Sequence, residues 1–474
     1  MLARTIVLPT PAAMTELELW GGVECSHCRV GDAYSDQLTR SGHWHRLSDL
    51  DALAGLGLKT LRYPVLWEHT SPESPDACDW TWADERLPRL RELGINPIVG
   101  LVHHGSGPRY TALHQENFAA GLARHAANVA RRFPWLTHFT PVNEPLTTAR
   151  FSALYGHWYP HTRDDRTFVR ALLNQFDATR QAMRAIREII PHAQLVQTED
   201  LAQVHSTPAM RHQADFENHR RWLSFDLLCG HVTPVHPFWS YLRQHGASQA
   251  ELQSWIDTPC PPDVLGLNHY LTSERFLDEA TGNYWPCHVT DSDGQRYADV
   301  EAVRVGGGVA LAGVTSLLLQ AWQRYGLPVA ITEAHLNCTR EEQVRWLHHV
   351  WESARAAREQ GADVRAVTVW SVFGAYDWNS LLTQNAGHYE AGVFDVRSGQ
   401  LRPTLLASLV QCLANGQAFR HPALQGLGWW QRPGRVHFEP SSVPATPQKF
   451  SIINARPQAP HPIRATTQKL TYAA

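Results

Sequence analysis

The chain has 474 residues, 43% of them hydrophobic and 18% charged, with a formal net charge of −3. That length supports one large buried core or two ordinary ones, and the near-neutral balance excludes nucleic acid or an anionic membrane surface as a partner drawn by charge. No apolar run approaches the roughly 20 residues that a spanning helix needs.

Residues 1–16 hold a short apolar stretch broken by Pro9 and Pro11. They read as an N-terminal extension and not as a secretory leader, which places the chain in the cytoplasm. Eight scattered cysteines would then be reduced. Cys25-Ser26-His27-Cys28 has one half of a zinc pattern, but no second Cys pair or His pair follows, so neither metal nor cofactor is expected.

Short β-rich runs alternate with helical periodicity from Leu17 onward. The predicted strands are Leu17–Gly22, Thr60–Tyr63, Asn96–Leu101, His138–Val142, Gln194–Thr198, Val264–Leu267, Val329–Thr332 and Val367–Val369. Amphipathic stretches fall between most of them: Leu47–Leu56, Phe118–Arg132, Thr167–Ile190, Val314–Tyr325 and Glu341–Gln360. Strand–helix alternation counted eight times predicts an α/β fold, a single-domain (β/α)8 TIM barrel over residues 17–416. Thr272–Gly313 reads as an excursion before the seventh strand, with Gly306-Gly307-Gly308 a flexible loop, not a dinucleotide site. After Gly416 the periodicity fades, and residues 417–474 read as a Pro-rich tail or linker.

The strand ends carry the chemistry. In order they offer Glu24, Arg62, His103, Asn143 with Glu144, Glu199, Asn268, Glu333 and Trp370. A barrel gathers such ends at one face. Two carboxyl groups there, Glu144 and Glu333, fit glycoside hydrolysis, in which one protonates the leaving oxygen and the other attacks the sugar carbon. The bland alternatives are a structural ion pair for the glutamates, a core histidine for His103, and loop ties for Asn268, Tyr270 and Asp377.

In several motifs the chain resembles glycoside hydrolase family 1, the β-glucosidase family of (β/α)8 barrels. Trp20-Gly21-Gly22 is similar to its opening strand, and Leu61–Trp67 to its LRFSISW segment. Asn143-Glu144-Pro145 matches NEP, Asp263–Tyr270 resembles DFIGLNYY, and Ile331-Thr332-Glu333 matches ITE. Trp370-Ser371 with Asp377-Trp378 aligns with WSLLDNFEW. The resemblance implies a retaining β-glycosidase with Glu333 as nucleophile and Glu144 as acid/base, about 5–5.5 Å apart. It implies Arg62 and Tyr270 as supports of Glu333. His103, Asn143 and Asn268 would be sugar contacts, Trp370 the stacking floor, and Asp377 with Trp378 the outer binding edge.

The specificity pocket departs from the pattern. The family's opening Gln falls near Cys28, so Glu24 and Arg29 are expected to supply charged contacts in its place. Asp377 is one carbon shorter than the usual Glu, His104 replaces a Trp, and Asn379–Ala391 has no Lys or Arg to hold a sugar phosphate. The resemblance extends to a divergent branch often fused to a domain like dTDP-4-dehydrorhamnose reductase, which implies association with a sugar-nucleotide reductase. The expected substrate is a small glycoside or oligosaccharide. Transglycosylation through the same intermediate, and a non-catalytic carbohydrate-binding or scaffold barrel in glycan assembly, remain the rival readings.

Overall fold

The computed structural model describes residues 16–292 and 295–445. The expectations for residues 1–15 and 446–474 lie outside the described residues. Eight parallel strands close into a barrel: β1 (Glu18–Gly22), β2 (Thr60–Pro64), β3 (Asn96–His103), β4 (His138–Asn143), β5 (Gln194–Asp200), β6 (Val264–Asn268), β7 (Val329–Ala334) and β8 (Val364–Val369). Closure comes from β1, which pairs with β8 through Glu18↔Ala366 and with β2 through Gly21↔Leu61. Each expected strand is present, extended by one to three residues at one end or trimmed by one.

The strands read as continuous apolar runs because helices cover their outer face and side chains fill the interior. Every residue of β6 and β7 is buried. Trp20, Ile98, Val196, Val264, Ala330 and Ala366 form an apolar cluster of their own, drawn from six of the eight strands, which fills the barrel as a core and not a pore. The expected helices form over Asp49–Gly55, Asn117–Arg132, Asp165–Arg187, Gly313–Tyr325 and Arg340–Glu359. Asp164 caps the longest by accepting from the Thr167 N–H at 2.8 Å.

One region differs from the sequence reading. Thr272–Gly313 is no simple excursion. Arg275–Asp278, Val289–Ser292 and Gln295–Glu301 join Val204–Ser206 in a four-stranded sheet beside the barrel, with its own apolar cluster around Phe276, Val300 and Phe438. These strands are short and rich in charge, so their pairing partners, not their composition, define them. Gly307 and Gly308 turn the chain after that sheet with φ of 65° and 88°, a conformation that favours glycine.

The segment after Gly416 crosses the barrel surface as a strap. Trp430 is buried against Trp346, and the Trp429 N–H donates to Glu342 Oε2 at 2.9 Å. Farther on, Ser441 donates through its N–H and its hydroxyl to Asp278, and the Ala445 N–H donates to the Ser206 carbonyl at 2.7 Å.

Candidate active site

The strand register sets the site. His103 pairs with Asn143 across β3 and β4, Asp200 with Asn268 across β5 and β6, and Asn268 with Glu333 across β6 and β7. These ends therefore lie at one level on the carboxyl face of the barrel. Above them is a cavity of about 140 Å³, far beyond the roughly 10–15 Å³ that admits one water. Its walls include Glu24, His104, Glu144, Asp200, Tyr270, Glu333, His335, Trp370, Trp378 and Glu390.

Glu333 is held from two sides. Arg62 Nη1 donates to its Oε1 at 2.8 Å, and the Tyr270 hydroxyl donates to Oε2 at 2.5 Å. Arg62 also donates to the Thr332 carbonyl at 2.8 Å and to Asn143 Oδ1 at 2.7 Å, so its plane is fixed. Burial pushes the Glu333 carboxyl up to about 7; Arg62 and Tyr270 pull against that, and the charge of Glu24 adds to it.

Glu144 follows β4 at φ +46°, a left-handed backbone uncommon for a residue with a side chain, directly before the helix Pro145–Ala149. Its N–H donates to the Thr198 carbonyl. Asn268 Nδ2 donates to its Oε1 at 2.5 Å, and His104 Nε2 lies 3.9 Å from Oε2. Burial and then the charges of Glu333, Asp200 and Glu199 raise its carboxyl well above the usual range. Two chemically identical groups thus have unlike supports: a cation and a phenol on one, an amide on the other. That difference is what an acid and a nucleophile require.

Asn143 Oδ1 accepts from Arg62, Thr198 and Asn268, while its Nδ2 faces His103 and His104. His103 stacks on Trp370 with the planes 9° apart. Burial lowers its imidazole well below the usual range, and lowers that of His104 to about 3, so both are neutral. A Cβ on Gly22 would lie 2.2 Å from Trp370, so only glycine lets the indole seat there. The Trp370 Nε1–H donates to Glu24 at 3.0 Å.

Arg62, His103, Asn143 and Asn268 touch residues of the wall without lining the cavity, and three further expected positions fall elsewhere. Arg29 does not line the cavity; its guanidinium lies 3.7 Å over the Tyr159 ring and donates to Asp32 and the Gly31 carbonyl. Asp377 is buried and tied to Arg40 at 2.5 Å and to the Gly387 and His388 N–H groups, contacts that organise its loop. The carboxylate of Glu199 accepts from Leu146, Thr147 and Ser224, which anchors the helix after Glu144. Cys28 is buried away from the lining as well.

The cavity also holds residues that sequence reasoning passed over. Asp200 is the neighbour of Glu199, and in a strand adjacent residues face opposite sides, so an offset of one selects the wrong carboxylate. His335 lies 3.3 Å from Glu390, and both line the cavity. Phe151 enters from a wide turn at Arg150–Leu154, in which the Tyr155 N–H reaches the Arg150 carbonyl. Among the described residues, Trp378 Nε1 and Asp200 Oδ1 have no hydrogen-bond partner.

The model of glycosyl hydrolase family 1 matches residues 29–390, most of the chain. The chain belongs to glycosyl hydrolase family 1. Among curated relatives, a 6-phospho-beta-glucosidase of Dickeya chrysanthemi is 24% identical over 69% of this chain and 75% of its own length. Thermostable beta-glucosidase B of Thermobispora bispora is 25% identical over 71% and 73%. In three dimensions the family 1 fold is shared with the β-glucosidase of Thermotoga maritima, at a TM-score of 0.69 and 16% identity over 86% of this chain and 99% of that one. The complex of that enzyme with azafagomine matches at 0.68.

Proposed function

We propose that this family 1 glycoside hydrolase is a retaining β-glycosidase in which Glu333 is the nucleophile and Glu144 the acid/base. The observation that carries the reading is the unlike support of two carboxyl groups in one cavity. Glu333 is bonded to Arg62 and Tyr270, which favour its charged form, and Glu144 is bonded to an amide and raised by its neighbours. In the first step a bond forms from a Glu333 oxygen to the anomeric carbon as the bond to the leaving oxygen breaks, and Glu144 gives that oxygen its proton. In the second, water delivers its proton to Glu144 and attacks the same carbon, which releases Glu333.

The preferred substrate carries no phosphate. The cavity walls include five carboxylates and no Lys or Arg, so a sugar phosphate would meet repulsion with no partner. On this reading the chain parts from its Dickeya chrysanthemi relative. A cytoplasmic site of action rests on the sequence reading. Association with a sugar-nucleotide reductase rests on the sequence resemblance, and co-purification tests it.

The deciding experiment is nitrophenol release from a panel of aryl β-glycosides by the native enzyme, Glu333→Gln and Glu144→Gln. Glu333→Gln is expected to lose nearly all turnover. Glu144→Gln is expected to keep the first step on nitrophenyl substrates, which need no protonation, seen as a burst of nitrophenol before a slowed second step, and to lose the first step on alkyl glycosides. Equal loss on both kinds would overturn the assignment of Glu144. A panel run with a sugar acceptor gives the ratio of transfer to hydrolysis.

A further inference from the structure

We propose that Glu24 is a specificity residue that selects glycosides whose sugar ring carries a protonated amino group. The inference rests on the glycosidase reading and names the substrate class of that site. Of the five carboxylates in the cavity wall, Glu144 and Glu333 belong to the reaction. Glu390 is 3.3 Å from His335, and Asp200 feels the cations Arg150 and Arg275. Glu24 is different. It is 4% exposed and accepts from the Ser26 N–H at 2.9 Å, the Ser26 hydroxyl at 2.5 Å and the Trp370 indole at 3.0 Å, all neutral donors. Burial raises its carboxyl above the usual range, and His335, a cationisable side chain that acts on it, lies 3.3 Å from Glu390.

A buried carboxylate with only neutral partners is costly unless something it binds brings the counter-charge. The shape of the site puts that counter-charge on the ring. Glu24 is bonded to the edge of Trp370, and its charge is felt at Glu333, so a cation held by Glu24 sits beside the nucleophile. An ammonium there would also offset the repulsion that Glu24 exerts on Glu333 and favour the ionised nucleophile. A hydroxyl in the same place could donate to Glu24 but would leave the charge uncompensated.

The test compares aryl β-glycosides of neutral hexoses with their 2-, 3-, 4- and 6-amino-deoxy counterparts at about pH 6, where the amines are protonated. At least one amino glycoside is expected to exceed its hydroxyl partner about tenfold or more in kcat/KM, the scale of a charge-assisted bond. The preference should fall as pH rises through the amine's own pKa. Glu24→Gln should abolish it mainly by loss on the amino substrate, and Glu24→Asp should keep part of it, with melting curves confirming that both fold. A neutral preference at every position, or equal loss on both substrates in Glu24→Gln, overturns the proposal. Calorimetric titration of Glu333→Gln with the same glycosides separates the two readings. Preferential binding of an amino glycoside by this variant, when the native enzyme turns over no member of the panel, upholds Glu24 and counts against the catalytic roles. Turnover of neutral glycosides with no amino preference does the reverse, and absence of amino-glycoside binding overturns the proposal.

Discussion

Asn268 holds Glu144 in place: its Nδ2 donates to Glu144 Oε1 at 2.5 Å, while its Oδ1 accepts from the Thr332 hydroxyl at 2.7 Å, one residue before Glu333. One amide thus ties the acid to the strand that carries the nucleophile. Asn268→Ala frees Glu144 to rotate, and small misplacements of a catalytic group are expensive. The expected result is a fall of about 100-fold in kcat on alkyl glycosides and a smaller one on nitrophenyl glycosides. Parallel kcat measurements on the two leaving groups check it.

The pH profile follows from the same pair. As the proposed nucleophile Glu333 must be ionised to attack, and its carboxyl is pushed up to about 7 by burial. Glu144, the proposed acid, must be protonated, and burial with the charge of Glu333 raises it well above the usual carboxylate range. The rate constant kcat/KM is therefore expected to rise as pH increases through about 7 and to fall again above it, a bell displaced toward alkaline pH for a pair of carboxyl groups. A Tyr270→Phe variant removes a hydrogen bond to the charged form of Glu333, so its acid limb should shift to higher pH.

Asp377 offers a clean contrast between binding and architecture. Its carboxylate is fully buried with Arg40 and two backbone N–H groups, at a residue with φ +56°. Asp377→Ala should destabilise the fold by about 3 kcal/mol, the scale of a broken buried ion pair, and lower Tm by several degrees. A raised KM with unchanged Tm would instead mean that Asp377 grips substrate.

Glu68 gives stability a pH dependence. It is buried, its Oε1 accepts from the Gly107 N–H at 3.0 Å, and its Oε2 has no partner. Burial raises it to about 7 in the fold, against an ordinary value of about 4.3 in the unfolded chain. Between those values the folded state holds the extra proton. Its contribution is therefore complete below about pH 4 and is lost as pH rises through 7. Glu68→Gln should remove that decline and raise stability at pH 8 by roughly 1–3 kcal/mol, read from denaturant titrations at several pH values.

The barrel was legible because each strand is a short apolar run flanked by turn residues, and parallel strands buried on both faces need no alternation to be seen. The pairs Arg62 with Glu333 and Tyr270 with Glu333 came from strand ends and matched motifs, and the structure brings each into contact; the bond from Asn268 to Glu144 was not foreseen. Arg29 and Asp377 have partners outside the cavity wall, Tyr159 and Asp32 in one case and Arg40 in the other, which residue type alone does not reveal. Asp200 was missed by one position in a strand, where one position means the opposite face. The side sheet was missed because its strands find their partners far along the chain: Arg275–Asp278 pairs with Val204–Ser206.

The strap that follows Gly416 reaches both ends of this problem. It is fastened to the helix Arg340–Glu359 through Glu342 and to the side sheet through Asp278, 163 residues before Ser441. That sheet continues from the loop whose Thr272 and Ser273 form part of the cavity wall. The entrance is thus braced from outside the barrel, by chain that contributes nothing to the chemistry. A clip between Gly416 and Gly428 would leave every barrel strand paired and still slacken the doorway, changing which glycosides can enter before it changed how any of them is cut.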